Sequence, residues 1–221
     1  MKLQLNQIEA RIIGALIEKA ITTPDYYPLS LNSLMTACNQ KSNREPVLSL
    51  NESEVGAAVN RLIDKNIVTL EGGFNARTSK YAHRFCNTTF GDLQLTDKEI
   101  AVVCCLLLRG PQTPGEIKTR TNRLAQFGDV KEVEATLESL MSNTFGIMVE
   151  KLEKEPGKRE ARYRQLFTEA DNPITVHHVL QTSNATASVA LSRDEVVKHI
   201  EFHSKELERY QALLKDINEE L

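Results

Sequence analysis

LNQIEARIIGALIEK (Leu5–Lys19) and LTDKEIAVVCCLLLR (Leu95–Arg109) decide how this chain is built, because they are one segment written twice. Glu99 lies 90 positions after Glu9. Asn6 and Thr96 stand as helix N-caps, and Glu9 and Glu99, three residues on, complete a capping box in each copy. Ile12/Val102, Ile13/Val103, Leu16/Leu106 and Ile17/Leu107 then repeat an apolar face at helical spacing. A repeat of this size signals two copies of one small domain.

The rest of each copy follows outward from that helix. Ser30 caps a second helix whose apolar stripe is Leu31, Leu34, Met35 and Cys38. In the other copy GPQTPGEI is tighter: Gly110 ends the first helix, Thr113 caps the next, Pro114 takes its first position and Glu116 closes the box. Third helices open at Asn51 and Asp129, with Val55/Val133, Val59/Leu137, Leu62/Leu140 and Ile63/Met141 matched 78 positions apart. After each, the apolar period drops toward 2. Ile67–Glu71 with Lys80–Phe85, and Ile147–Leu152 with Ala161–Phe167, read as β-hairpins. Three helices and a hairpin make a winged helix-turn-helix.

The expected class is therefore mainly α with small β-hairpins (α+β): two tandem winged helix-turn-helix domains, 1–90 and 91–170. A linker, 171–191, leads to an amphipathic helix, 192–221. There Ile200, Leu207, Leu214 and Leu221 recur every seven residues, with Val196, His203, Tyr210 and Ile217 between them. A homodimeric coiled coil and packing back onto the chain's own domains are both open.

Composition limits function. Of 221 residues 41% are hydrophobic and 5% aromatic, with no Trp, so the cores must be aliphatic. No uncharged stretch approaches the ~20 residues of a membrane span, and the start lacks a signal pattern, so a cytoplasmic protein with no membrane partner is expected. Cys104 and Cys105, mid-helix in an apolar run, read as small buried residues, and the four cysteines contain no CxxC pair. His177-His178 has no companion ligand nearby and reads as a packed or solvated pair. No cofactor or metal is expected. Searches for GxSxG, a P-loop, HExxH and a dinucleotide fingerprint find nothing, so no enzyme is expected.

Net charge is −3, unevenly spread. Residues 1–90 carry 10 Lys+Arg against 8 Asp+Glu, 91–170 carry 12 against 13, and 171–221 carry 5 against 9. Any nucleic-acid contact must then rest on local patches. In copy one the outward face of the third helix offers Asn60, Arg61 and Lys65, a groove-reading set beside Gly56 and Ala57. The preceding loop offers Asn39, Gln40, Lys41, Ser42, Asn43 and Arg44 as phosphate donors, and the hairpin adds Arg77, Lys80, His83 and Arg84. In copy two the third helix exposes Glu132, Glu134 and Glu138, which repel phosphate and suit a protein partner. Its cations lie elsewhere: Lys118, Arg120 and Arg123 at the end of the second helix, and Lys158, Arg159, Arg162 and Arg164 on the hairpin. The favoured reading is a duplex-DNA-binding, regulator-like protein using helix three and the wing of copy one. The alternative is a protein-interaction scaffold of paired winged helices.

TTPDYYPLSLNSLMTACNQKSNREP (Thr22–Pro46), KYAHR (Lys80–Arg84) and LLLRGPQTPGEI (Leu106–Ile117) closely resemble signature segments of the YceH family of bacterial proteins. The resemblance covers roughly residues 1–170. It implies a tandem winged-helix fold in a Gram-negative cytoplasm, and it supplies no catalytic or ligand-binding residues.

Overall fold

The computed structural model describes residues 3–71, 78–89, 91 and 93–168, all within one compact unit spanning Met1–Val176. The linker, the heptad helix with its dimer, His177-His178 and Arg77 lie outside the described residues.

The first repeat runs α1 (Gln7–Thr22), β1 (Leu29–Ser30), α2 (Leu31–Cys38), α3 (Glu52–Asp64), β2 (Val68–Glu71) and β3 (Lys80–His83). The second runs α4 (Asp97–Arg109), α5 (Pro114–Arg120), α6 (Val130–Met141), β4 (Val149–Lys151) and β5 (Tyr163–Gln165). The helices begin where their caps dictate. Asn6, Asn51, Thr96 and Thr113 each accept from the third backbone N–H of their helix while a glutamate there reaches back to the cap. Gly110, at φ +69°, ends α4 in a conformation that penalises a Cβ.

The strands form a mixed α+β architecture of small antiparallel sheets. In repeat one the order is β1-β3-β2, with Leu29 opposite Tyr81 and Leu70 opposite Tyr81 on the other side. In repeat two β4 pairs β5, and a single bridge, Gln112 to Tyr163, stands where β1 meets β3 in repeat one. Tyr81 and Tyr163 are thus equivalent in pairing as well as in sequence.

The first helices do more than expose one apolar stripe to the core. Every residue from Glu9 to Glu18 is buried in α1, and every residue from Ala101 to Leu108 in α4. A helix buried all round lies inside a core, not on it. The two helices cross at matched positions: Cys104 Sγ donates to Gly14 O at 3.4 Å. A Cβ on Gly14 would sit 2.8 Å from Leu108 Cδ2, so glycine is what permits the approach. The hydrophobic cluster runs unbroken from Leu5 to Phe167 across both repeats. Leu5 N donates to Phe167 O at 2.7 Å, and Phe85 meets Phe167 edge-on at 5.0 Å, so matched aromatics also touch each other.

Candidate nucleic-acid interface

The exposed face of α3 holds Asn60, Arg61 and Lys65, as expected, but its cations are not free. Arg61 Nε donates to Glu9 Oε1 at 3.0 Å, and Lys65 Nζ to Glu9 Oε2 at 2.7 Å and to Gln4 O at 3.0 Å. Glu9, 1% exposed, is the capping-box residue of α1. Burial pushes its pKa up, but hydrogen bonds from Lys65, the Asn6 N–H and Arg61 outweigh this and hold it below the usual range. Drawing Arg61 and Lys65 away to a base or phosphate would leave a buried carboxylate without its cations. Glu52, Glu54 and Asp64 share the same exposed helix. The face is therefore not cationic.

Arg44 is a correction. It is 5% exposed, with Nη1 and Nη2 on Glu18 Oε1 and Oε2 at 3.2 and 2.7 Å and Nε on Ala37 O at 3.0 Å. No phosphate reaches it. Two neighbours are also structural. Asn39 clamps Leu50 through both ends of its amide, at 2.7 and 2.8 Å, and Asn43, at φ +59°, accepts from Arg109 Nη2 at 2.6 Å. These three side chains tie down the long connection into α3. Gln40 is half-buried, and Lys41 and Ser42 stay at the surface.

On the hairpins Lys80 and Arg84 are exposed. His83 is half-buried: its backbone N–H donates to Tyr27 Oη at 2.7 Å, and its ring Nδ1 has no partner among the described residues. Burial pushes its pKa down, so it is neutral at pH 7 and adds no charge to the hairpin. In repeat two Arg162 holds Glu116 at 2.9 and 3.3 Å and Pro111 O at 2.8 Å, and Arg164 pairs with Glu150. Lys158 and Arg159 are exposed among Glu153, Glu155 and Glu160, which cancel much of their field.

Gln40 and Lys80, both expected at a nucleic-acid contact, stand on a surface separate from α3. α2, β1, Lys80 and the turn before β1 enclose an open groove of ≈ 730 Å³. Asn32, Ser33 and Thr36 line it from α2 and Gln40 from just beyond that helix; Lys80 and Lys19, the latter 3.8 Å from Glu18, add cations, and among the described residues Asp25 is the one lining carboxylate. The signal was available: positions 32, 33, 36 and 40 form an uncharged polar stripe opposite Leu34 and Cys38, which are fully buried. Among the described residues no group of three His, Cys, Asp or Glu is placed to hold a metal ion, and no helix is long and apolar enough to cross a membrane.

Residues 5–158 match the family described as "Protein of unknown function, DUF480", a match that spans both repeats. A UPF0502 protein of Vibrio vulnificus is 56% identical over 218 residues, 98% of each chain, and one of Vibrio atlanticus 53% identical over the full length of both. A Vibrio cholerae relative reaches 64% over 167 residues, 76% of this chain and 77% of its own. With one family model and full-length bacterial relatives agreeing, this chain belongs to the DUF480/UPF0502 family, the uncharacterised YceH-like group whose signature segments it carries.

Proposed function

We propose that both repeats are winged helix-turn-helix units and that repeat one binds duplex nucleic acid by its backbone, in the groove beside α2. The β1-β3-β2 sheet following a helix pair supports the fold assignment. The groove lining carries the functional one: hydroxyls and amides on α2 face Lys19 and Lys80, the donor types that engage phosphate and sugar. Base reading by α3 is not part of the proposal, because Glu9 holds Arg61 and Lys65.

Fluorescence anisotropy on a mixed-sequence duplex over a salt series tests this. Two phosphate contacts, from Lys19 and Lys80, give a log–log salt slope near −1.8. Lys80→Ala is expected to weaken binding and reduce the slope by about 0.9, while Arg61→Ser leaves it unchanged. No binding at the lowest salt, or binding indifferent to Lys80→Ala, rejects the proposal.

The alternative scaffold reading draws on one observation. Phe145 and Ile147, 57% and 59% exposed, follow an α6 whose surface carries Glu134 and Glu138. An apolar pair beside carboxylates fits a protein partner better than a phosphate backbone.

A further inference from the structure

A second cavity, of ≈ 260 Å³, lies in the seam between the repeats. α1 and the Glu45-Pro46 segment wall it from one repeat; the end of α4, Gly110-Pro111 and the strand around Arg164 wall it from the other. Arg11 stands in its lining although it is 3% exposed. Its Nη1 donates to Cys38 O at 3.2 Å and its Nη2 to Pro46 O at 2.7 Å, while its Nε has no partner among the described residues.

The charges around Arg11 do not balance. Arg44 lies close enough to disfavour a second cation, and Glu18, the buried acid here, is engaged bidentately by Arg44. Glu18 Oε2 also faces Lys19 Nζ at 3.8 Å, so among the described residues Arg11 has no carboxylate of its own. The C-terminal end of α2, whose carbonyls both arginines cap, offsets about half a charge. At the rim Arg164 is matched by Glu150, and Glu45 by Arg120 at 3.5 Å. Among the described residues, what remains is a net positive charge at a partly apolar cavity whose walls include Ala10, Leu106 and Leu107. Uncompensated buried charge is expensive, and an anion in the cavity relieves it.

The internal repeat provides a control. The residue matched to Arg11, 90 positions on, is Ala101, and the one matched to Arg164, 82 positions back, is Ala82. Both alanines are buried in the same fold. The fold therefore accepts alanine at both places, and the arginines at this cavity answer to something other than helix or strand formation.

We infer that the inter-repeat cavity is a binding site for a small oxyanion, a carboxylate or phosphate on a compact ligand, held by Arg11 and by the Nη groups of Arg164, whose Nε alone bonds Glu150 among the described residues. At ≈ 260 Å³ the cavity sits just below the usual range for ligand pockets, so the ligand is small.

The probes are inorganic phosphate and hexanoate, titrated into the full chain by calorimetry, with chloride at matched ionic strength as the control. Saturable binding of either probe is expected, with a shift of the Arg11 Nε–H resonance in nitrogen-15 spectra. Arg164→Ala, a half-exposed position, is expected to weaken it at least tenfold, and Arg11→Lys to abolish the resonance while identifying it. Equal effects of chloride, an unmoved Arg11 signal at saturation, or full affinity in Arg164→Ala overturns the site. DNA binding enters none of these readouts, so this site and the α2 groove succeed or fail separately.

Discussion

Glu9 and Glu99 occupy the same position of the two repeats and do the same backbone job, yet they keep different company. Each closes a capping box at the start of its central helix. Across the repeat, Glu9 meets Arg61 and Lys65 on α3; Glu99 meets Ser139 Oγ on α6 at 2.6 Å, and Ser139 is the residue matched to Arg61. Duplication preserved the contact between first and third helices and changed its chemistry from an ion-pair cluster to one hydrogen bond. The same divergence recurs at Glu18, matched by Leu108: repeat one buries a carboxylate with Arg44 where repeat two buries a methyl-bearing side chain. Among the described residues repeat one buries four charged side chains, Glu9, Arg11, Glu18 and Arg44, and repeat two buries one, Glu99, beside the uncharged Gln112 and Thr121.

Converting repeat one toward repeat two breaks the comparison most severely at Glu18. Glu18→Leu leaves Arg44, whose side chain is wholly buried, without its carboxylate, and is expected to lower unfolding free energy by ~3–5 kcal/mol in denaturant titration. A loss below ~1 kcal/mol would show that the pair contributes nothing beyond an apolar contact.

Next come the two capping glutamates. Glu9→Gln removes charge-assisted bonds to two cations, for ~1.5–3 kcal/mol, and Glu99→Gln ~1 kcal/mol. Both carboxyls lie below their ordinary pKa of 4.5 in the fold. A depressed folded pKa means that the stabilisation is complete above 4.5 and disappears as pH falls through the folded value. Stability measured from pH 6 down to pH 2 should therefore decline less steeply in Glu9→Gln than in the native chain, with a weaker flattening in Glu99→Gln. Equal flattening would erase the contrast between the repeats.

The mildest conversion is Arg61→Ser, which installs the repeat-two residue. Arg61 is 48% exposed and Lys65 remains on Glu9, so a change of about 0.5–1 kcal/mol is expected by thermal or chemical unfolding. A larger loss would make Arg61 the main counter-ion of Glu9.

Much of the framework was legible because its causes are local. Asn6 with Glu9 and Thr96 with Glu99 specify where helices begin within four residues, and the shift of apolar period marks β2–β3 and β4–β5. β1 escaped notice. It is two residues long, and its partner Tyr81 lies 52 positions after Leu29, so no local pattern announces it. The site was less legible than the fold. Arg44, Arg61, Arg162 and Arg164 are cations in the sequence, and counting them predicts a field that Glu18, Glu9, Glu116 and Glu150 largely remove. The α2 stripe was overlooked for the opposite reason: it bears no charge.

Caps, apolar spacing and the doubling itself are written along the chain, because each depends on neighbours three or four positions away. Which charges are spent inside and which face outward emerges only when α1 and α4 cross at Gly14 and Cys104. That crossing buries both helices all round and decides which residues, dozens of positions apart, must neutralise one another.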